Sequence, residues 1–323
     1  MINLKMKKNQ FKILNFSDIQ LSSSEWNDGH KHREIVIRTV GELVKRVKPD
    51  LITLSGDLAW AGEFTAYEKL SEYMNSFGIP WTLVWGNHDN QRGTETVDKQ
   101  VEIVTSKQSC LYEKGPAKLG NGNFVITIDN GSTPVSALIM MDSHDCRPPL
   151  PHEGNVREIW DELWPEQFEW YKEQTEQLRR AGYNTSAMIM HIPIYAYREA
   201  FAAASSGAEQ RSVLPWDSLG SDLWNEEYKD TFGVNYEGIC SHPYDNGFFE
   251  LVRDLDHTKL ILSGHDHLNN SCINYKGIRL AYSTNTGPGC YYDPILNGGT
   301  VITIDTEGKL DLHHEYVDVS DIL

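Results

Sequence analysis

Short apolar runs alternate with amphipathic stretches through the first half of the chain. Strands are predicted at residues 11–16, 51–54 and 81–85. The stretches that follow the first two runs carry apolar residues at helical spacing, and they end before Pro49 and at Gly78, respectively. This alternation is typical of βαβ units, and we therefore expect an α/β fold with a largely parallel sheet.

The apolar runs lie closer together after residue 123. Two runs, at 124–128 and 135–141, are separated by the hairpin-type dipeptide Asn130-Gly131. A third long helix is predicted from Pro165 to Gly182. Further strands are predicted at residues 187–190 and 260–262 and, as antiparallel strands, around residues 278–282, 301–304 and 310–314. Because no repeat, low-complexity tract or linker interrupts the chain, we expect a single domain over residues 1–323.

Residues 196–247 break the alternation. They contain many small and aromatic residues without a sustained period, and the aromatic ones include Trp216, Trp224, Tyr228, Phe232 and Tyr236. A long insertion between two core strands is often a lid or a substrate loop. The alternative is a structural excursion that covers a sheet edge. The sequence leaves both interpretations open.

Polar residues able to bind a metal follow five of the predicted strands. They are Ser17-Asp18, Ser55-Gly56-Asp57, Gly86-Asn87-His88-Asp89, His191, and Gly264-His265-Asp266-His267. In an open α/β sheet, ligands bind beyond the carboxyl ends of the strands, so these residues can converge on one site. Each motif alone has an ordinary alternative, such as a turn or a buried core histidine. Their common position and the pair His265 and His267 favour a metal site.

The types of these side chains indicate which metals they suit. Carboxylate and amide oxygens with imidazole nitrogens, and no thiolate, favour divalent ions such as Mn, Fe or Zn. There are more candidate ligands than one ion needs, and Asp57 is the candidate for a carboxylate shared by two metals. Gly56, Gly86 and Gly264 allow the sharp turns that direct each ligand back to the site.

At these residues the chain resembles the calcineurin-like metallophosphoesterases, whose strand-end motifs are D-x-H, G-D, G-N-H-D, a lone H and G-H-x-H. The resemblance covers residues 11–283 in the same order, and three motifs are complete. The chain is similar in particular to the branch related to purple acid phosphatases of the yeast and plant type, through residues 238–249 and 264–279. The resemblance implies a four-layer α-β-β-α sandwich of two mixed sheets flanked by helices.

The resemblance also implies a role for each residue. The ligands of the first metal would be Asp18, Asp57 and His267, and those of the second would be Asp57, Asn87, His191 and His265. His88, paired with Asp89, would lie beside the leaving-group oxygen. The implied activity is that of a phosphatase or phosphodiesterase acting on a small phosphoester, in which a metal-bridging hydroxide attacks phosphorus.

One motif departs from the family pattern. The first should read D-x-H, but this chain has Asp18-Ile19-Gln20. A glutamine carbonyl is a neutral oxygen where the family has an imidazole nitrogen, so we expect weaker binding of Fe or Zn at the first metal and a smaller loss for Mn or Mg. Gln20 is either a ligand or turned away with a water in its place. If the chemistry has been lost, the alternative function is a phosphoesterase fold kept as a binding or regulatory module.

Composition limits the partners. The chain has 29 Lys+Arg against 46 Asp+Glu, a formal charge of −17, and no Lys/Arg cluster with interleaved aromatics, so we expect neither nucleic acid nor an anionic membrane surface as a partner. Two divalent cations would still attract a small anionic phosphoester. The five scattered cysteines predict free thiols, and no run resembles a signal-peptide core or a membrane span, so we expect a cytoplasmic protein. The oligomeric state is open.

Walls of the predicted pocket are expected from residues 196–247 and 286–292, with Tyr195 facing the cleft. Their aromatic side chains can stack on a ligand or pack onto the core.

Overall fold

The computed structural model describes residues 2–153, 158–206 and 223–322. The strands in these residues are β1 (Ile2–Lys5), β2 (Gln10–Phe16), β3 (Leu51–Ser55), β4 (Trp81–Val84), β5 (Phe124–Asn130), β6 (Thr133–Met140), β7 (Cys146–Arg147), β8 (Ile159–Trp160), β9 (Ser186–Ile189), β10 (Thr258–Ser263), β11 (Cys272–Tyr275), β12 (Ile278–Tyr282), β13 (Gly298–Asp305) and β14 (Leu310–Tyr316). The helices are α1 (Lys31–Val47), α2 (Phe64–Ser76), α3 (Asn87–Asn90), α4 (Thr94–Thr105), α5 (Pro165–Arg180), α6 (Ala196–Ala204) and α7 (Phe248–Leu255). Short 3₁₀ turns lie at Ala117–Leu119, Glu226–Tyr228 and Ser320–Ile322.

The first three predicted strands form the parallel core of a five-stranded sheet. Its order is β14-β13-β2-β3-β4, and β2, β3 and β4 run parallel to one another. Strand β13 is antiparallel to both β2 and β14. The predicted βαβ organisation is confirmed here, because α1 and α2 connect these parallel strands.

A second sheet has seven strands in the order β1-β5-β6-β9-β10-β12-β11. The predicted hairpin around Asn130-Gly131 is present as the antiparallel pair β5 and β6. Strand β12 differs from the prediction. It lies in this sheet, parallel to β10 and antiparallel only to β11, whereas β13 and β14 pair in the other sheet. The β11–β12 turn at Lys276-Gly277, where both residues have positive φ, makes the hairpin that the sequence pattern missed.

Alternating side chains show how the two sheets are covered. On β10, Leu260 and Leu262 pack in the core shared by both sheets, whereas Ile261 packs in a second core with α5, α6 and α7. Helices α1 and α2 contribute to the first core from the other side of the five-stranded sheet. The result is two mixed sheets between layers of helices, and the expected four-layer sandwich is confirmed.

In the part that the structure describes, the inserted segment covers a sheet edge and also reaches the cavity of the candidate site. In its described part, α6 packs against β11, and Phe232 forms an isolated bridge to Cys272 on that edge strand. Residues 238–240 turn instead toward the cavity described below. Trp216 lies outside the described residues. Helices α4, α6 and α7 and strands β1 and β11 were not predicted, since each is short or interrupted by polar residues.

None of the helices in the described ranges is long and apolar enough to cross a membrane. All five cysteines have free thiols, as the sequence predicts.

The fold buries a neutral histidine at the start of β10. His257 is fully buried, its Nε2 lies 3.0 Å from the carbonyl oxygen of Tyr183, and its Nδ1 lies 2.9 Å from the hydroxyl of Ser186. The carbonyl can only accept, so Nε2 carries the ring proton and Nδ1 accepts from Ser186. Burial lowers the pKa of His257 from 6.5, and the charges of Arg179 and Lys259 lower it further.

A pH-dependent loss of stability follows from this arrangement. Below about pH 6.5 the unfolded chain takes up a proton that folded His257 resists, so its contribution to the free energy of unfolding is present above that pH and falls as the pH falls. We expect His257→Gln to have a shallower pH dependence than the wild type in urea unfolding between pH 5 and 8. His313→Gln, at an exposed position on β14, is the control and keeps the wild-type slope. Identical slopes for the wild type and His257→Gln would refute this assignment.

Candidate functional site

The turns that follow β2, β3, β4, β9 and β10 meet around one cavity of about 530 Å³. Five of the predicted residues line it, namely Asp57, Asn87, His88, His265 and His267. Asp18, Gln20 and His191 lie directly behind them and are buried. The structure therefore brings all the predicted side chains except Asp89 toward a common centre. The carboxylates come from the five-stranded sheet and the imidazoles, apart from His88, from the seven-stranded sheet.

The backbone of these turns adopts a conformation that non-glycine residues rarely occupy. The φ angles of Asp18, Gln20, Asp57 and His265 are 56°, 52°, 50° and 79°. Hydrogen bonds between the first two turns hold this geometry, from the Asp18 N–H to the Gly56 carbonyl at 3.1 Å and from the Gln20 N–H to the Asp57 carbonyl at 3.0 Å. Backbone strain of this kind persists where the surroundings enforce it, and it is concentrated at functional sites.

One group of side chains comprises Asp18, Asp57 and His267. Each offers a ligand atom within 4.8 Å of the other two, and all three residues are buried. The Nδ1 of His267 donates to the carbonyl oxygen of Tyr291 at 2.7 Å, which leaves Nε2 facing Asp18 Oδ1 at 3.4 Å. This is the set that the family resemblance implies for the first metal.

A second group surrounds Nε2 of His191. Its Nδ1 donates to the carbonyl oxygen of Ser55 at 2.8 Å, so Nε2 points into the site. It lies 2.9 Å from Asn87 Oδ1, 3.4 Å from Asp57 Oδ1 and 3.3 Å from His265 Nδ1. The four residues implied for the second metal therefore meet at one point, and Asp57 belongs to both groups.

Gln20 is turned toward the site. Its side chain is fully buried, and its Nε2 donates to Asp57 Oδ2 at 3.3 Å. The alternative in which Gln20 points away is wrong, because the backbone hydrogen bond to Asp57 fixes the turn with the side chain inward. Two buried polar atoms of the predicted site residues, Gln20 Oε1 and His265 Nε2, have no hydrogen-bond partner among the described residues. Buried polar atoms without partners fit a site that a bound group completes, and the carboxylates and imidazoles around them are ligand types that suit divalent cations.

The expected pair of His88 with Asp89 is wrong. His88 Nδ1 lies 2.8 Å from Gln91 Nε2, whereas the Asp89 carboxylate accepts from the Gly86 N–H at 2.8 Å and from the Tyr67 hydroxyl at 2.6 Å. The short helix α3 directs the two side chains apart, so the Asp89 carboxylate lies between the turn that follows β3 and the turn that follows β4. Burial and the negative charge of Asp57 raise the pKa of Asp89 to about 7. Asp89 holds the backbone that presents Asn87 and His88.

The charges of the site balance across the two sheets. Burial alone would raise the pKa of Asp57 and of Asp18, but the imidazoles of His191 and His267, respectively, lower the pKa of each carboxyl below its usual range. Burial alone would lower the pKa of these two histidines, but Asp57 raises that of His191 and Asp18 raises that of His267, each to about 9. Burial and the charge of His191 lower the pKa of His265 to about 3. A cation that binds here displaces protons from the histidines.

Glycine is required where the turns touch. A methyl group on Gly264 would overlap the Ser17 hydroxyl and approach Asp18 Oδ2, and one on Gly86 would overlap the Asp57 carboxylate. The approach at Gly264 sets the separation between candidate ligands of the two sheets, and the approach at Gly86 sets it between neighbouring turns of the five-stranded sheet.

Sequence reasoning missed a sixth polar strand end, Asp142-Ser143-His144-Asp145 after β6. Its signal was the same as for the other five strands. His144 packs flat on Trp164 at 3.8 Å between ring centroids and contacts Gln167 Oε1 at 2.7 Å, and it lines a different cavity. Ser143 accepts from the backbone N–H of Ile192 at 2.8 Å, so this turn supports the His191 turn.

The predicted walls are partly present. Cys290 and Tyr291 line the cavity, and the Tyr291 ring stacks on His267 with 4.4 Å between centroids. The Tyr291 hydroxyl donates to Glu237 at 2.7 Å, which ties the two wall segments together. Arg198, within the predicted wall 196–247, lines the cavity as well, and so does Trp160, which was not predicted. Tyr195 lines another, smaller cavity.

Residues 11–269 match the sequence profile described as calcineurin-like phosphoesterase. The chain is 24% identical over 267 residues to the probable inactive purple acid phosphatase 14 of Arabidopsis thaliana, an alignment that covers 74% of this chain and 59% of that protein. It is 23% identical over 288 residues to the phosphatase DCR2 of Saccharomyces cerevisiae, covering 82% of this chain and 45% of that protein. The chain thus spans less than two thirds of the length of these relatives.

Two solved structures share the fold. A dimetal phosphatase from Danio rerio superposes with a TM-score of 0.54 at 10% identity, covering 94% of this chain and 98% of that one. A purple acid phosphatase from yellow lupin superposes with a TM-score of 0.52 at 12% identity, covering 97% of this chain and 53% of that one.

The close contact at Gly264 leads to a test of the site's construction. We expect Gly264→Ala to lower the free energy of unfolding by about 1–3 kcal/mol, the usual cost of overpacking, and to weaken binding of Mn²⁺ because Asp18 must shift. Urea unfolding and calorimetric titration with Mn²⁺ measure the two effects. The control is Gly41→Ala on α1, where the added methyl meets only the Tyr73 hydroxyl, at 3.2 Å. Unchanged Mn²⁺ affinity in Gly264→Ala would contradict the role given to this contact.

Proposed function

Because the chain belongs to the calcineurin-like phosphoesterase family, we propose that its cavity is the active site of a metal-dependent hydrolase of small phosphoesters. The observation that carries this proposal is the meeting of two carboxylates, an asparagine and three imidazoles from five separate turns at one cavity. A structural role would not require four non-glycine residues at positive φ in the same place.

We propose two divalent cations as cofactors, most suitably Mn, Fe or Zn. Asp18, Asp57 and His267 would hold one, and Asp57, Asn87, His191 and His265 the other. The Gln20 carbonyl oxygen can join the first group if its amide rotates. When bound, such cations supply Lewis-acid stabilisation of the charge that develops on a phosphoryl group, and they acidify water.

His88 is the proposed acid for the leaving group. It is 25% exposed at the cavity surface, its ring rests against Trp60 with 4.5 Å between centroids, and its backbone N–H donates to Asp57 Oδ1 at 2.9 Å. If Gln91 donates to Nδ1, the ring proton stays on Nε2, the nitrogen nearer the site. Gln91 thereby takes the positioning role that the sequence gave to Asp89, and Asp89 instead fixes the turn from below.

A cavity of about 530 Å³ suits a small molecule. The formal net charge of −17 disfavours long polyanions, whereas the proposed metal centre would attract one compact anionic group. A small phosphoester therefore fits both the size of the cavity and the charge of the chain.

A second candidate function is a binding or regulatory module without catalysis. Two observations favour it. Gln20 supplies a neutral amide that donates to Asp57, where the family has an imidazole, and three Arabidopsis thaliana relatives bear the name probable inactive purple acid phosphatase. The remaining site residues are all in place, so hydrolysis stays the leading proposal.

Metal removal and reloading distinguish the two functions. We expect chelator-treated protein to lose hydrolysis of 4-nitrophenyl phosphate or bis(4-nitrophenyl) phosphate and to recover it with Mn²⁺, Fe²⁺ or Zn²⁺. Asp57→Asn should lower kcat/KM about 100-fold or more, because it removes the carboxylate shared by both cations. Asp311→Asn, exposed on β14, serves as the control. Bound metal without turnover of either ester would favour the binding module. Absence of both bound metal and turnover would contradict both proposed functions.

The Gln20 departure is tested separately. We expect Gln20→His to lower Mn²⁺-supported turnover severalfold, since the fully buried glutamine fits its space and its carbonyl suits a harder ion. Turnover is measured at saturating Mn²⁺ and again at saturating Zn²⁺, with urea unfolding to verify folding. A rise of tenfold or more with Mn²⁺ would show instead that the native site is degraded.

A further inference from the structure

Arg198 lies in the wall of the metal-binding cavity. It belongs to the first turn of α6, seven residues after His191 in the chain, and it is half-buried. Its Nε donates to the hydroxyl of Ser241 at 2.7 Å, and its Nη2 donates to the Ser241 carbonyl oxygen at 3.1 Å. Ser241 is itself buried, and its hydroxyl donates to the His242 carbonyl at 3.0 Å. The guanidinium is thus anchored on one side by a fixed polar group.

The Arg198 guanidinium forms no ion pair with a carboxylate among the described residues. Arg147 differs, because it forms ion pairs with Glu153 and Asp161 at 2.7 and 2.9 Å. A guanidinium has five donors, and the two bonds to Ser241 use only part of them. A half-buried cation with free donors in the wall of a cavity is suited to binding an anion.

The position of Arg198 indicates which anion this is. Arg198 and Trp160 line both the metal-binding cavity and a neighbouring cavity of about 520 Å³, whereas the candidate metal ligands line only the first. Arg198 therefore lies where the two cavities adjoin, a position that none of the candidate metal ligands shares. It is also the one lysine or arginine among the described residues that line either cavity.

We propose that Arg198 is a specificity-determining residue that binds a second anionic group, a carboxylate or phosphate on the leaving-group side of the substrate. This inference rests on the proposed function, and it narrows the substrate class to small phosphoesters that carry two separated anions. Ser241 is the positioning residue for Arg198. The Trp160 ring, which contacts His265 edge-on at 4.4 Å between centroids, packs against the carbon skeleton between the two anions.

The loop that carries Ser241 is tied to the metal-binding turn. The backbone N–H of the preceding residue, Cys240, donates to Asp266 at 3.2 Å, and Asp266 lies between His265 and His267. The Tyr282 hydroxyl donates to the same carboxylate at 2.5 Å. Hydrogen bonds therefore fix the separation between Arg198 and the metal-binding centre. A fixed separation is what allows a residue to select substrates by their length.

The test compares non-hydrolysable phosphonates that differ by one charge. The full chain loaded with Mn²⁺ is titrated calorimetrically with alkylphosphonates and with the matched ω-carboxyalkylphosphonates of two to five methylene groups. We expect the carboxylate to tighten binding about tenfold at one chain length, the usual value of a charge-assisted hydrogen bond. Arg198→Gln should bring this ratio to about one and leave alkylphosphonate binding within twofold of the wild type.

Variants and controls separate recognition from folding. Arg198→Lys should retain part of the ratio, and Ser241→Ala should reduce it without abolishing phosphonate binding. Arg180→Gln, on the exposed face of α5, should match the wild type. A wild-type ratio near one at every length overturns the proposal, and this measurement needs no variant to fold. Equal weakening of both ligands in folded Arg198→Gln also overturns it, since the arginine would then act on the metal-side group or on the structure.

The binding readout is independent of catalysis. A preserved ratio without turnover of either 4-nitrophenyl phosphate or bis(4-nitrophenyl) phosphate would refute hydrolysis and keep the second-anion site. Turnover with a binding ratio near one would support hydrolysis and refute the second-anion site. Failure of Mn²⁺-loaded protein to bind any phosphonate would overturn both.

Discussion

The structure depends on the burial of two carboxylates beside each other where two sheets meet. Asp18 and Asp57 come from neighbouring strands of one sheet, and like charges in a buried place repel strongly. The other sheet supplies the compensation, because His191 and His267 face these carboxylates at 3.4 Å. The strained backbone of the turns, the glycines at their contacts and the carbonyl groups that orient the imidazoles all serve to hold this arrangement.

The order of the chain explains why much of the site was predictable. Metal-binding residue types follow short apolar strands, and the rule that ligands collect at the carboxyl ends of parallel strands is enough to group Asp18, Asp57, Asn87 and the histidines. The layered fold was harder to predict. Periodicity showed which runs are strands, but the assignment of β12 to one sheet and of β13 to the other depends on contacts between residues distant in the chain. Only the family resemblance gave the sandwich.

The spacing of residues along the sequence could not predict the directions of the side chains in the site. Asp89 is adjacent to His88, yet a single helical turn directs it to Tyr67 and to backbone N–H groups, while Gln91, three residues on, reaches His88. The segment of Arg198 was predicted as a wall of the pocket, but the residue itself was not singled out, because an arginine in an irregular pattern carries no signal until α6 and Ser241 fix its position. Gln20 could not be resolved for the same reason. Its orientation follows from the positive φ of its own backbone and from one hydrogen bond between turns.

The hydrogen bond from His191 to the Ser55 carbonyl joins a turn of the seven-stranded sheet to a strand of the five-stranded sheet. The backbone N–H of His265 contacts the Asp18 carboxylate across the same boundary, at 3.1 Å. Any ligand bound between these turns contacts both sheets at once and dissociates when the two sheets separate on unfolding. By thermodynamic linkage, such a ligand adds RT ln(1 + [L]/Kd) to the free energy of unfolding, so the melting temperature of the whole chain reports the occupancy of one small site.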